Sequence, residues 1–221
     1  MLDYICLKTK WQAFVNNCYI LHNTYNNHAL IVDPSWEIDK FKLQIRRLGC
    51  TIDAILITHS HFDHINLADQ LSFTYDCPVF IEEREMLARP FKCQNIIELS
   101  APTNICTITA PIKCLLTPGH TAASVSYMIG NLFLTGDFLL NEGCGLPERE
   151  SMVESLYESI RKIKEHINDD VILLPGHSYG TEVGKSMKDV FENNIYFSFN
   201  NLKDFKTFLL RNGMKSISRF T

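Results

Sequence analysis

The sequence predicts an α+β fold, a β-sandwich with helices on its outside. Three observations predict it. Short β-branched and apolar runs recur along the chain, amphipathic helical stretches follow the early strands and again the late ones, and no repeat or Pro/Gly linker divides them. At 221 residues and 25.4 kDa the chain suits one compact domain, residues 1–221, ending in a basic helical tail from about 185.

The elements read in order as follows. Residues 2–8, FVNNCYIL and HALIVDP are strands, the last ending at Asp33-Pro34. A helix is expected from about Trp36 to Leu48, with Ile38, Phe41, Ile45 and Leu48 at helical spacing and Gly49 as its stop. TIDAILITH is a strand, and Leu67 and Leu71 begin a second helix. CPVFIE, NIIELS, ICTITAPIKCLLTPGH and SVSYMIGNLFLTGD are short strands and turns, with a hairpin signal at IGN. Met152, Leu156, Ile160, Ile163 and Ile167 share one face of a helix over 149–167. VILLPGHS is a last buried strand, and helices are expected over 185–194 and 202–211. Residues 84–98 and 141–150 read as loops.

Hydrophobic residues make up 46% and charged residues 21% of the chain, which excludes a disordered protein. No apolar run approaches the roughly 18 residues of a membrane helix. MLDYICLKTK lacks the pattern of a secretory signal, so a cytoplasmic location is expected. Eight cysteines (6, 18, 50, 77, 93, 106, 114 and 144) form no CxxC pair and read as reduced thiols, several inside apolar runs. From residue 185 onward, Lys185, Lys188, Lys203, Lys206, Arg211, Lys215 and Arg219 face only three acids, a local charge of +4. That is a solvated helical tail or a docking surface for an acidic partner.

Residues 58–66 read THSHFDHIN, three of the chain's eight histidines within six positions. Imidazoles and carboxylates are the donors a divalent transition metal selects where thiolates are absent. His59 and His61, two apart on a strand end, share a side. Asp63 and His64 follow after the chain turns, which suits two neighbouring metals better than one. TPGHT places His120, LTGD places Asp137 and LPGHS places His177 in the same setting, a strand end running into a loop. Asp33 has that setting in IVDP.

THSHFDH, PGH, GD and a final PGH, in this order, resemble the metallo-β-lactamase superfamily, and the likeness runs from about Phe14 to His177. The resemblance implies an αββα four-layer sandwich. It implies that His59, His61 and His120 hold one metal, that Asp63, His64 and His177 hold a second, and that Asp137 bridges both. Asp33 would steady the ligand loops from behind. Two divalent ions are implied, zinc first, with iron and manganese also suited to such donors. His22, His28 and His166 have no partner motif and read as structural or surface residues.

The implied chemistry is hydrolysis by a hydroxide shared between the metals and positioned by Asp63 and Asp137. Lactam-hydrolysing relatives typically carry cysteine where this chain has Asp137. Nucleic-acid-processing relatives usually carry an extra domain, and the basic tail lacks the aromatics of a stacking platform, so no nucleic-acid partner is expected. Cys144, in a GCG turn, reads as structural. TGDFLLNEGCG resembles the thioester-cleaving glyoxalase II branch, yet Leu146, Pro147 and Glu148 stand where glutathione-gripping residues are typical, and Phe138 stands where threonine is usual. FVNNCYIL, IVDPSWE, FKCQNIIEL, CLLTPGHT and NEGCG look like the small zinc-dependent hydrolases of bacterial polyketide pathways. A thioesterase acting on an acyl thioester of an acidic acyl carrier protein is expected. The alternatives are a hydroxyacylglutathione hydrolase, a persulfide dioxygenase with one iron on His59, His120 and Asp137, or a non-catalytic scaffold.

Overall fold

The computed structural model describes residues 1–212. Strands β1 (Leu2–Trp11), β2 (Phe14–Asn23), β3 (His28–Val32), β4 (Thr51–Leu56), β5 (Val79–Glu82) and β6 (Ile96–Leu99) form the first sheet in that spatial order. Its first pairings are antiparallel, and β3 through β6 run parallel. Parallel neighbours need crossovers, supplied by α1 (Ile38–Leu48), by the single turn α2 (Phe62–Ile65) with α3 (Ala68–Tyr75), and by α4 (Glu83–Ala88).

The second sheet has the order β12-β11-β10-β9-β8-β7, from β7 (Thr103–Cys106), β8 (Pro111–Leu116), β9 (Val125–Ile129), β10 (Leu132–Gly136), β11 (Ile172–Pro175) and β12 (Lys185–Ser186). Only β10 and β11 pair in parallel, and α5 (Val153–His166) joins them. Helices α6 (Met187–Asn193) and α7 (Leu202–Asn212) follow.

Each central strand is apolar on both faces, and the alternation assigns each face to its own core. Tyr19, Leu21, Leu30, Val32, Ala54 and Leu56 meet Tyr127, Ile129, Leu134 and Leu174 between the sheets. The intervening Ile20, Ile31 and Ile55 turn outward onto Phe41 and Ile45 of α1 and Leu71 of α3. Phe133 and Leu173 turn outward onto Leu156, Ile160 and Ile163 of α5, with Phe205 of α7 beside them. Three cores between four layers make the αββα sandwich that the motifs imply.

Several element boundaries differ from expectation: β1 runs on to Trp11, and the helix expected over 149–167 begins at Val153 after a 3-10 turn. The first helix starts at Ile38 because Trp36 takes a left-handed backbone (φ 62°). Residues 84–88, within the stretch read as loop, belong to α4. Lys185 and Ser186 pair as β12 with β11, and the Ser186 hydroxyl then caps α6 by accepting from the Asp189 N–H. Of the basic tail, Lys215 and Arg219 lie outside the described residues.

Candidate metal centre

The site sits at one end of the sandwich, where strands of both sheets end. The first sheet brings Asp33 after β3 and His59 and His61 after β4, with Asp63 and His64 on α2. The second brings His120 after β8, Asp137 after β10 and His177 after β11. All eight residues read from sequence meet here. His59, His61 and His120 converge, with His61 Nδ1 3.0 Å from both His59 Nε2 and His120 Nε2. Asp63, His64 and His177 converge beside them. The Asp137 carboxylate lies 3.7 Å from His120 Nε2, 3.4 Å from His64 Nε2 and 3.3 Å from His177 Nε2, so it faces both groups.

Each of the five imidazoles has its outer nitrogen occupied. His64 Nδ1 donates to Asp33 Oδ2 (2.9 Å), His120 Nδ1 to the Leu146 carbonyl (2.8 Å), and His177 Nδ1 to the Val15 carbonyl (2.7 Å). His61 reverses its ring and donates from Nε2 to Glu148 (2.6 Å), while His59 Nδ1 meets the Thr58 hydroxyl (3.0 Å). In the neutral ring, an outer nitrogen that donates leaves the inner one a lone pair, the state in which imidazole binds a metal.

Asp33 acts behind this layer. Its carboxylate accepts from the Thr58 backbone N–H (2.8 Å) and hydroxyl (2.6 Å) as well as from His64, so one buried acid fixes the strand end and two ligand rings. Glycine is needed at two close approaches. A Cβ on Gly176 would lie 2.6 Å from Asp137 Oδ1, and one on Gly145 would overlap the Asp137 carbonyl and lie 2.7 Å from His120 Nδ1.

Charge is divided across the centre. Burial and the neighbouring imidazoles hold His59 well below its ordinary pKa, and burial lowers His120. Burial opposes charge on His64 and His177 too, but Asp137 and the other nearby acids outweigh it, raising His64 strongly and His177 to about 12. Burial likewise opposes ionisation of Asp63 and Asp137, yet His177 and His64 keep both carboxyls far below their usual range. The ionised carboxylates of Asp63 and Asp137 suit a divalent cation, which would displace the protons held on His64 and His177. Two buried polar atoms without a hydrogen-bond partner, His64 Nε2 and Asp137 Oδ1, lie in this same centre. The donor set therefore fits metal.

Comparison with known proteins agrees. The metallo-β-lactamase superfamily profile matches residues 11–90. The chain is 37% identical to the probable polyketide biosynthesis zinc-dependent hydrolase PksB of Bacillus subtilis, over 97% of this chain and 96% of that protein. It is equally similar, with the same coverage, to the probable polyketide biosynthesis zinc-dependent hydrolase BaeB of Bacillus velezensis. The chain belongs to the metallo-β-lactamase superfamily. The fold agrees as well: a metallo-β-lactamase structure from Staphylococcus aureus superimposes with a TM-score of 0.83 at 20% identity, over 96% of this chain and 67% of that one.

Within that superfamily frame, three supporting residues escaped sequence reading. Glu148, read only as a departure from the glutathione-gripping pattern, holds His61 and is itself paired with Arg89. Asn16 donates to the Asp63 carboxylate and carbonyl, both at 3.0 Å, and accepts from Trp36 Nε1 at 2.8 Å. Glu85, fully buried on α4, accepts from Ser60 N–H (2.9 Å) and hydroxyl (2.8 Å), from the Thr121 hydroxyl (2.5 Å) and from Ala123 N–H (3.1 Å). It ties the His59–His61 loop to the His120 loop. Cys144 is buried beneath Tyr196, and burial pushes its thiol far up, which removes it as a nucleophile. His22 and His166 lie away from the centre, on Asn27 and the Lys162 carbonyl. No helix among the described residues is long and apolar enough to cross a membrane.

Proposed function

We propose that this metal-dependent hydrolase cleaves acyl thioesters, and that its acyl groups arrive on an acidic carrier protein. The observation carrying the reading is the pair of ligand groups around Asp137, five imidazoles with their inner nitrogens aimed at the centre. The printed descriptions of PksB and BaeB, hydrolases of polyketide biosynthesis, support it. Polyketide intermediates are thioesters on carrier proteins.

His59, His61 and His120 would hold one divalent ion, Asp63, His64 and His177 the second, and Asp137 would touch both. Zinc fits these donors, and iron or manganese would also be accepted. When bound, such ions polarise the thioester carbonyl and bring the pKa of water to about 7. The chain's own residues then set the geometry. Asp63, kept ionised and clamped by Asn16, orients the attacking water with Asp137. Glu148 and the Leu146 carbonyl keep His61 and His120 aimed inward. Substitution Asp63→Ala is expected to leave the fold intact and abolish hydrolysis; near-normal turnover would sink the two-metal scheme.

Lys203, Lys206 and Arg211 are exposed on α7, and Lys206 pairs with Glu150 (2.8 Å), next to the Gly143–Glu148 segment of the site. A carrier protein steered there would arrive beside the metal centre. Reversing Lys203 and Lys206 to Glu should slow turnover of an acylated carrier protein at low salt, with the effect fading at high salt; equal rates would exclude steering. The deciding test of the function offers acetyl or malonyl carrier protein in one assay and lactoylglutathione in another, following released thiol. Release from the carrier protein alone supports the reading. Release from lactoylglutathione alone replaces it with a hydroxyacylglutathione hydrolase.

A further inference from the structure

Outside the three cores lies a fourth apolar cluster, and it borders the metal centre. Trp11, Phe14, Trp36 and Phe62 pack on one another. The Trp11 and Trp36 rings stack 4.9 Å apart at 15°, and Phe62 meets Trp36 edge-on at 5.3 Å. None of the four joins a core. Phe62 is 61% exposed, Phe14 46% and Trp11 43%, whereas large aromatic rings ordinarily bury most of their surface. A contiguous exposed apolar patch of this kind marks a binding surface.

The neighbours of the cluster say what binds. Phe62 stands between His61 and Asp63 in the chain. Trp36 commits its one polar atom to Asn16, and the same amide holds the Asp63 carboxylate. Val15, next to Phe14, supplies the carbonyl that fixes His177. The aromatic cluster is thus continuous with the Asp63–His177 half of the centre. The other half is bordered by charge: Arg89, Glu148 and Arg149 line a cavity of about 210 Å³ on the His61 side. One side of the mouth suits hydrocarbon and the other a polar or anionic arm.

We propose that Trp11, Phe14, Trp36 and Phe62 form an acyl-chain subsite that selects apolar acyl groups longer than acetyl. The proposal rests on the thioester reading and deepens it. With the scissile carbonyl at the metal centre, the hydrocarbon lies across the rings and the thiol-bearing arm leaves past Arg89 and Arg149. An acetyl methyl covers little of the ring surface, while an octanoyl chain covers much of it.

Trp11 and Trp36 are the only two tryptophans in the chain, so its tryptophan emission reports on this cluster alone. S-octyl-coenzyme A, a thioether that cannot be hydrolysed, should shift the emission saturably, and S-methyl-coenzyme A at the same concentration should not. In kinetics with octanoyl- and acetyl-coenzyme A, kcat/KM should favour octanoyl by about tenfold or more. That ratio should fall to about two or less in the Trp11→Ala/Phe62→Ala variant. Equal kcat/KM for the two thioesters in the wild type would overturn the subsite. So would hydrolysis of octanoyl-coenzyme A with an emission indifferent to the S-octyl probe. An emission response without hydrolysis of either thioester, or of octanoyl carrier protein, would keep an apolar-chain site and overturn the thioester reading instead.

Discussion

Glu148 shows how a single residue sets the state of the site. Its carboxylate accepts from His61 Nε2–H at 2.6 Å, so Nδ1 is left as the lone-pair nitrogen 3.0 Å from its two imidazole neighbours. Arg89 in turn pairs with Glu148. Replacing Glu148 with Ala frees the ring to turn and to change tautomer. Metal affinity should fall about 10- to 100-fold, measured by competition with a chromophoric chelator, and Glu148→Gln should recover part of it. Unchanged affinity in both variants would mean that His61 is held by something else. The difference in legibility between His61 and Glu148 has a physical cause. The ligands announce themselves because four of them fall within six positions of one strand end. Their supports are visible only in space: Glu148 lies 87 residues from His61, and Asn16 lies 47 from Asp63. No local pattern of charge or hydrophobicity encodes contacts across such separations.

At the scale of elements, strands were readable as short apolar and β-branched runs, because β2 through β4 are buried on both faces, and the long helices α1 and α5 by their period near 3.6. The short α4 was not. EREMLA is half charged, and its contribution is the buried Glu85 rather than an apolar stripe. Glu85 accepts four hydrogen bonds from the two ligand loops, so Glu85→Ala strands several buried donors at once. The expected cost is about 3 kcal/mol, a fall in Tm of about 6–12 °C for a chain of this size, with reduced metal content at equal protein concentration. A variant that melts like the wild type and keeps its metal would show that water replaces the carboxylate.

For the molecule as a whole, the donors are split between the sheets: His59, His61, Asp63 and His64 follow strands of the first, His120, Asp137 and His177 strands of the second. Cations bound there would clasp the open end of the sandwich, and they bind only when both sheets are in place. Thermal unfolding should therefore depend on zinc. A chelator should lower Tm reversibly, and free zinc at a hundredfold excess over its Kd should add about 2.7 kcal/mol. A midpoint that ignores zinc would contradict this arrangement.

The same division of donors orders events while the chain is being made. When residue 64 has emerged, four of the seven candidate ligands already exist, yet they lie on one sheet with no opposite wall. The last ligand, His177, follows β11, and β11 reaches its place beside β10 only after α5 has formed the crossover. Completion of the Asp63–His64–His177 group thus belongs to the end of synthesis, and a ribosome stalled before β11 holds a chain with six of its seven candidate ligands but only the His59–His61–His120 group complete.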